Sequence, residues 1–140
     1  MFGSLDISTS ALVAQRTRLD VIAGNIANAD STRRLDGQPG PYKRRYVTFA
    51  PGRTDAGEDG APGVHVASVG EDRSPGRLRY DPGHPDAIRS GPRAGYVEYP
   101  NVDMAVEMID AIEAARAYEA NITAIDVTKK MITSSLRLLA

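Results

Sequence analysis

The chain has 140 residues, a formal net charge of −1, two His, no Cys and no Trp, with 6% aromatic residues. That length permits one ordinary domain, but so few aromatics argue against a large, densely packed core. Near-neutral charge gives no electrostatic ground for a nucleic acid or an anionic membrane as main partner, and the lack of Cys excludes disulfides, thiolate metal sites and thiol catalysis while leaving the compartment open.

The N-terminal stretch MFGSLDISTSALVAQRTRLD has acidic and hydroxyl residues where a secretory signal needs a basic segment and an apolar core. Export, if it occurs, is therefore expected to use a route that reads no cleavable signal. No run approaches the ~18 apolar residues of a membrane span, so direct membrane insertion is not expected.

Leu5, Leu12, Leu19 and Ile26 recur at a seven-residue interval, with Ala11, Val13, Ile22 and Ala23 beside them. This predicts a helix over Ser4–Ala29 with one apolar stripe, capped by Ser4, and with Gln15, Arg16, Arg18 and Asp20 on the remaining surface. Gly24 weakens the last turns, which marks either close approach of a neighbouring backbone or a fraying end. Asn25, Asn28 and Asp30 then cluster where the stripe runs out, the pattern of a helix terminus followed by a turn.

From Gly37 to Gly95 lie 11 of the 13 Gly and 8 of the 9 Pro, which excludes helix. Alternation predicts strands over 42–49, 64–69, 78–80 and 96–99, and Thr54–Gly63, with almost nothing apolar, reads as a mobile loop. The segment is a small β-rich insert that would not stand alone.

The last forty residues, Asn101–Ala140, contain neither Gly nor Pro and read as one unbroken helix capped by Asn101 or Asp103. At ~37 residues such a helix reaches about 55 Å, too long for its own domain. Val102, Val106, Ile109, Ala117, Ala120, Ala124, Val127 and Leu138 mark one apolar side. Met108, Ile112, Ala115, Ile122, Ile132, Leu136 and Leu139 mark a second, and two sides imply more than one neighbour. Asp103, Glu107, Asp110 and Glu113 lead the helix and Lys129, Lys130 and Arg137 trail it, as the macrodipole favours.

Catalytic candidates are thin. His84 lies in DPGHPD near Asp81 and Asp86, but the prolines spell a tight turn and one His lacks the further ligands zinc needs. His65 is an isolated strand residue, and Lys43, Arg44 and Arg45 read as a solvated basic face rather than a phosphate track. No P-loop, dinucleotide fingerprint, nucleophile elbow or zinc-protease motif occurs. No enzyme activity, metal or cofactor is expected.

Three stretches together carry a resemblance: RLDVIAGNIANADSTR (Arg18–Arg33), GQPGPYKRRYVTF (Gly37–Phe49) and YVEYPNVDMAVEMIDAIEAARAYEANITAIDVTKKMI (Tyr96–Ile132), with DPGHPDA (Asp81–Ala87) between. They resemble the axial proteins of the bacterial flagellum, and among them the proximal rod proteins of the basal body. The Asn-Ile-Ala-Asn core, the Pro-Asn-Val-Asp opening and the Arg-Ala-Tyr-Glu-Ala-Asn centre of the long helix carry the match. The loop 54–63 has no counterpart in the family pattern, and the tract 31–41 departs from it by an extra Gly-Pro.

The resemblance implies a mainly α fold with a small β-rich insert, residues 1–30 and 101–140 pairing as an antiparallel coiled coil around residues 31–100. It implies a structural subunit of a hollow helical drive shaft, exported uncleaved by the flagellar type III apparatus and ordered only on assembly. Its partners would be copies of itself, the rod proteins FlgB, FlgF and FlgG, FliE and the MS ring protein FliF, with no nucleic acid. Subunit contacts would fall on Leu5, Leu12, Leu19, Ile22, Asn25, Ile26 and Asn28, and on Val106, Ile109, Arg116, Tyr118, Asn121, Ile122, Val127 and Ile132. Arg116 and Asn121 are expected to hydrogen-bond between subunits. Two rivals remain: a soluble helical adaptor or chaperone that binds a partner helix, and a small hydrolase using His84 with Asp81 or Asp86.

Overall fold

The computed structural model describes residues 2–34, 40–52 and 62–139. Of the predicted loop Thr54–Gly63, all but Pro62 and Gly63 lies outside the described residues, as does 35–39 of the Gly-Pro tract; the side chains of Leu138 and Leu139 do so as well.

Two helices bracket two β-hairpins. Helix α1 spans Phe2–Ala27 and α2 spans Met104–Leu139; between them lie β1 (Arg45–Pro51), β2 (Val64–Glu71), β3 (Arg77–Tyr80) and β4 (Tyr96–Tyr99). The mainly helical class with a small β part is as expected. The predicted cap at Ser4 is not, because α1 already runs from Phe2 and Ser4 lies inside its first turns.

The helices pair antiparallel: Asn25 meets Glu107, while Arg18, two turns earlier on α1, meets Asp110 and Glu113 further along α2. At 36 residues, α2 is about 54 Å long against about 39 Å for the 26 residues of α1. Continued at this register, α1 is exhausted near Lys129, so the last ten residues or so of α2 project beyond it. Asp103 caps α2, its Oδ1 accepting from the backbone N–H groups of Ala105 at 2.9 Å and Val106 at 3.4 Å. At the far end of α1, the Asn28 Nδ2 donates to the Gly24 carbonyl at 2.8 Å and closes the last turn.

The hairpins are separate sheets. β1 and β2 pair antiparallel with a register shift between Thr48 and Phe49, and both lie against α1. The first strand begins at Arg45 rather than Tyr42, because the Tyr42 N–H is drawn to the Ser31 carbonyl at 3.1 Å. β3 and β4 pair with Tyr80 edge-on to Tyr96, ring centroids 5.2 Å apart. Gly95 precedes β4 at φ +84°, where a side chain would run into the Tyr80 ring.

The core is thin. Among the described residues the buried apolar side chains are Ala14, Ile22, Ala29, Val97, Val102 and Ala114, with Pro41 and Pro100. Apart from Ala14 and Ala114, they gather where α1 ends and α2 begins.

Candidate functional site

Along α2, Asp110, Ala115 and Ala117 are half-buried beside a continuous run of buried or half-buried positions, Glu107, Ala111, Ala114, Tyr118, Asn121, Ile125, Thr128 and Ile132. The alternating spacing of four and three along this run is the helix–helix seam. It coincides with neither predicted apolar side of α2. Among the predicted outer residues, Val106 is 48% exposed, Ile109 66%, Ile112 56% and Val127 50%, and Met104, Met108, Ile122, Met131 and Leu136 are exposed with them. Of the other elements α2 touches α1 alone. Both predicted sides therefore remain largely in solvent, and on α2 the seam mixes alanines and polar groups with Tyr118, Ile125 and Ile132.

On α1, Leu5, Leu12, Leu19 and Ile26 are half-buried and Ile22 is buried. Gln15 and Arg18, expected on the polar surface, are half-buried too. Arg18 bridges Asp110 at 3.3 Å and Glu113 at 3.4 Å, so its charge lies across the seam. Gly24 faces the Tyr42 side chain at ordinary contact distance, not a neighbouring backbone.

Asn25 is 1% exposed and every polar atom of its side chain is used. Its Oδ1 accepts from the Arg45 N–H at 2.9 Å and the Tyr42 hydroxyl at 3.0 Å. Its Nδ2 donates to the Arg45 carbonyl at 2.8 Å and to Glu107 Oε2 at 3.1 Å. The amide thus pairs with both backbone groups of Arg45 as a neighbouring strand would, satisfying the start of β1. Glu107, fully buried, takes the Arg44 Nε at 2.6 Å on its other oxygen. Arg44 also reaches Asp110 at 3.5 Å, and its N–H donates to Asn101 Oδ1 at 3.1 Å. Partial burial raises the Tyr42 hydroxyl pKa above its ordinary value, against the pull of the Arg45 charge.

This junction corrects two readings. Arg44 is not part of a solvated basic face, and its neighbours are paired too, Lys43 with Glu98 at 3.5 Å and Arg45 with Glu71 at 3.8 Å. Nor does Glu107 simply complement the helix dipole: it is a buried ion-pair partner. Its position on the same spacing as Ala111 and Ala114 was the available signal.

The remaining predicted residues take distinct places. Asn28 closes α1 and accepts the Ser31 hydroxyl at 3.2 Å. Arg116 is exposed; Tyr118 and Ile132 are half-buried in the seam; Asn121 donates to the Ala117 carbonyl of its own helix at 2.8 Å. His84 belongs to a turn, its Nδ1 accepting the Asp86 N–H at 3.1 Å. Asp86 ties that turn to Arg33 and Thr32, and those hydrogen bonds, Arg33 first, hold its carboxyl below the usual range. Among the described residues no group of three or more His, Asp or Glu could hold a metal ion, and no helix is long and apolar enough to cross a membrane.

The fold is thus a helix pair with an apolar face of α2 left in solvent. Two family models match: "Flagella basal body rod protein" over residues 5–34 and "Flagellar basal body rod FlgEFG protein C-terminal" over residues 93–138. The chain is 45% identical to the flagellar basal-body rod protein FlgC of Borreliella burgdorferi, covering 99% of this chain and 97% of the relative. It is 40% identical to FlgC of Bacillus subtilis (98% and 97%) and 44% identical to FlgC of Salmonella typhimurium (95% and 93%). The chain belongs to the FlgC family of flagellar basal-body rod proteins. It is a structural component of the flagellar basal body and not an enzyme, which sets aside the hydrolase reading; nor do these relatives favour the adaptor.

Proposed function

We propose that the chain is a subunit of the proximal rod, stacking helically with copies of itself and other rod proteins into the drive shaft that carries torque from motor to hook. One observation carries this reading: Val106, Ile109, Ile112 and Val127 of α2 stand 48–66% exposed, and among the described residues no element other than α1 lies against that helix. An apolar face of this kind is the mark of a surface completed by a neighbouring chain. A heterologous contact that does not close on itself propagates into a filament.

In this reading residues 1–30 and 101–140 form the axial core and 31–100 the insert. Val106, Ile109, Arg116, Ile122 and Val127 meet neighbours directly. Leu5, Leu12, Leu19 and Ile26, together with the seam edges Tyr118, Asn121 and Ile132, supply the flanks, while Ile22, Asn25 and Asn28 act by holding α1 in place. FlgB, FlgF, FlgG, FliE and FliF are the adjoining components, reached by type III export, and the helices complete their ordering on assembly.

Removing Met131–Ala140 tests the reading. These residues lie near or beyond the end of α1, so the truncated chain is expected to be made and exported yet to abolish rods and motility in a strain lacking its own copy. Normal swimming of that strain would refute the proposal.

A further inference from the structure

We propose that Asn25, Arg44 and Glu107 form a register key that fixes how far α2 slides along α1, and so how much of α2 projects past it. The inference concerns the subunit itself and does not depend on its place in the rod. The seam needs such a device because its apolar part discriminates poorly. Ala14 and Ala114 are its buried alanines, and Ile22 is the only large apolar side chain buried on either helix among the described residues. A slide of one heptad, about 10 Å, would repeat the spacing and set Asn121 where Ala114 now faces α1.

The polar junction tolerates no such slide. Asn25 is held by both backbone groups of Arg45. The Arg44 carbonyl accepts the Asp72 N–H at 2.7 Å, an anchor independent of α2. The amide and the guanidinium therefore form a fixed socket, with one carboxylate oxygen of Glu107 on each. Moving α2 by a heptad would carry Glu107 out of that socket and leave a buried amide donor without its acceptor. Breaking a buried charged group from its partners is strongly unfavourable, and fixing register is the best-attested use of such groups between helices. Arg18, bridging Asp110 and Glu113, gives a second, more exposed indexing point two turns away.

Because the natural chain has no cysteine, introduced pairs report register without background. With Asn25 opposite Glu107 the antiparallel register sets Ala14 opposite Tyr118, so Ala14→Cys with Tyr118→Cys probes the observed register and Ala14→Cys with Ile125→Cys a slide of one heptad. In the purified full chain the first pair is expected to oxidise and the second hardly at all. Adding Glu107→Leu, which keeps the volume and removes the carboxylate, should raise the slid crosslink on the order of tenfold, the factor a lost charged hydrogen bond supplies. Crosslinking of E107L in the observed register alone would overturn the proposal. So would loss of both crosslinks in E107L, which would mean the network supplies stability rather than register. Failure of the first pair to form in the parent chain would overturn it too.

Discussion

Replacing Ile109 and Ile112 together by Ser separates the stability of the subunit from that of the assembly. Both side chains lie on the outer face of α2, 66% and 56% exposed, and α2 meets no element but α1. In the isolated subunit the change therefore touches little, and the free energy of unfolding should move by no more than about 0.5 kcal/mol. Covering an isoleucine completely is worth about 1.5–3 kcal/mol, so with more than half of each still in water the pair stands to gain roughly 3 kcal/mol per subunit. At ~1.4 kcal/mol per decade, the double variant should join a growing assembly about a hundredfold less favourably. The assay is complementation of a strain lacking the gene, scored by spreading in soft agar and by rods in isolated basal bodies, beside a thermal melt of the purified chain. Wild-type spreading would refute the assignment of this face to subunit contact. A large drop in melting temperature would refute it differently, by showing that the face supports the fold.

Two further outcomes follow from the polar contacts. Arg44→Met removes the guanidinium from the fully buried Glu107 and should destabilise the subunit by about 3 kcal/mol in a urea titration, the scale of a buried charge left without its partner; a change below ~1 kcal/mol would show that Asn25 alone satisfies the carboxylate. Asp86, whose folded pKa is depressed by Arg33 and Thr32, contributes stability that is present above its unfolded value of 3.8 and lost as the pH falls through the lower folded value. Protection of the 84–87 amides against hydrogen exchange should thus persist at pH 5 and fade only below about pH 4, and Asp86→Asn should abolish that dependence.

Both helices were legible in the sequence because nothing in Asn101–Ala140 breaks a helix and because leucines mark α1 every seventh residue. Their partition into faces was not legible. Hydrophobic periodicity does not say which apolar positions the chain itself covers, and on α2 it is carried by Ile109, Ile112 and Val127, which the subunit leaves open. The internal seam is read in part from small and polar side chains, Ala114, Glu107 and Asn121, which a hydropathy pattern passes over. Arg44 was opaque for another reason: its partner Glu107 lies 63 residues further on, and local charge patterning cannot see it. Asn25 stood out, but the turn-forming chemistry of asparagine offered a local explanation, whereas its amide is spent on the backbone of a strand 20 residues away.

The pairing of α1 with α2 also sets a clock. Asn25 and Glu107 are 82 residues apart, so the contact that organises the helices is among the most distant in the chain. Closing a loop of that length costs about 4 kcal/mol in chain entropy, which must be met before the seam returns anything. A chain threading N-terminus first through any narrow passage would release α1 long before α2. In such a passage the seam could close only once the second half of the chain had emerged, so this topology would postpone the pairing of the helices until passage was nearly complete.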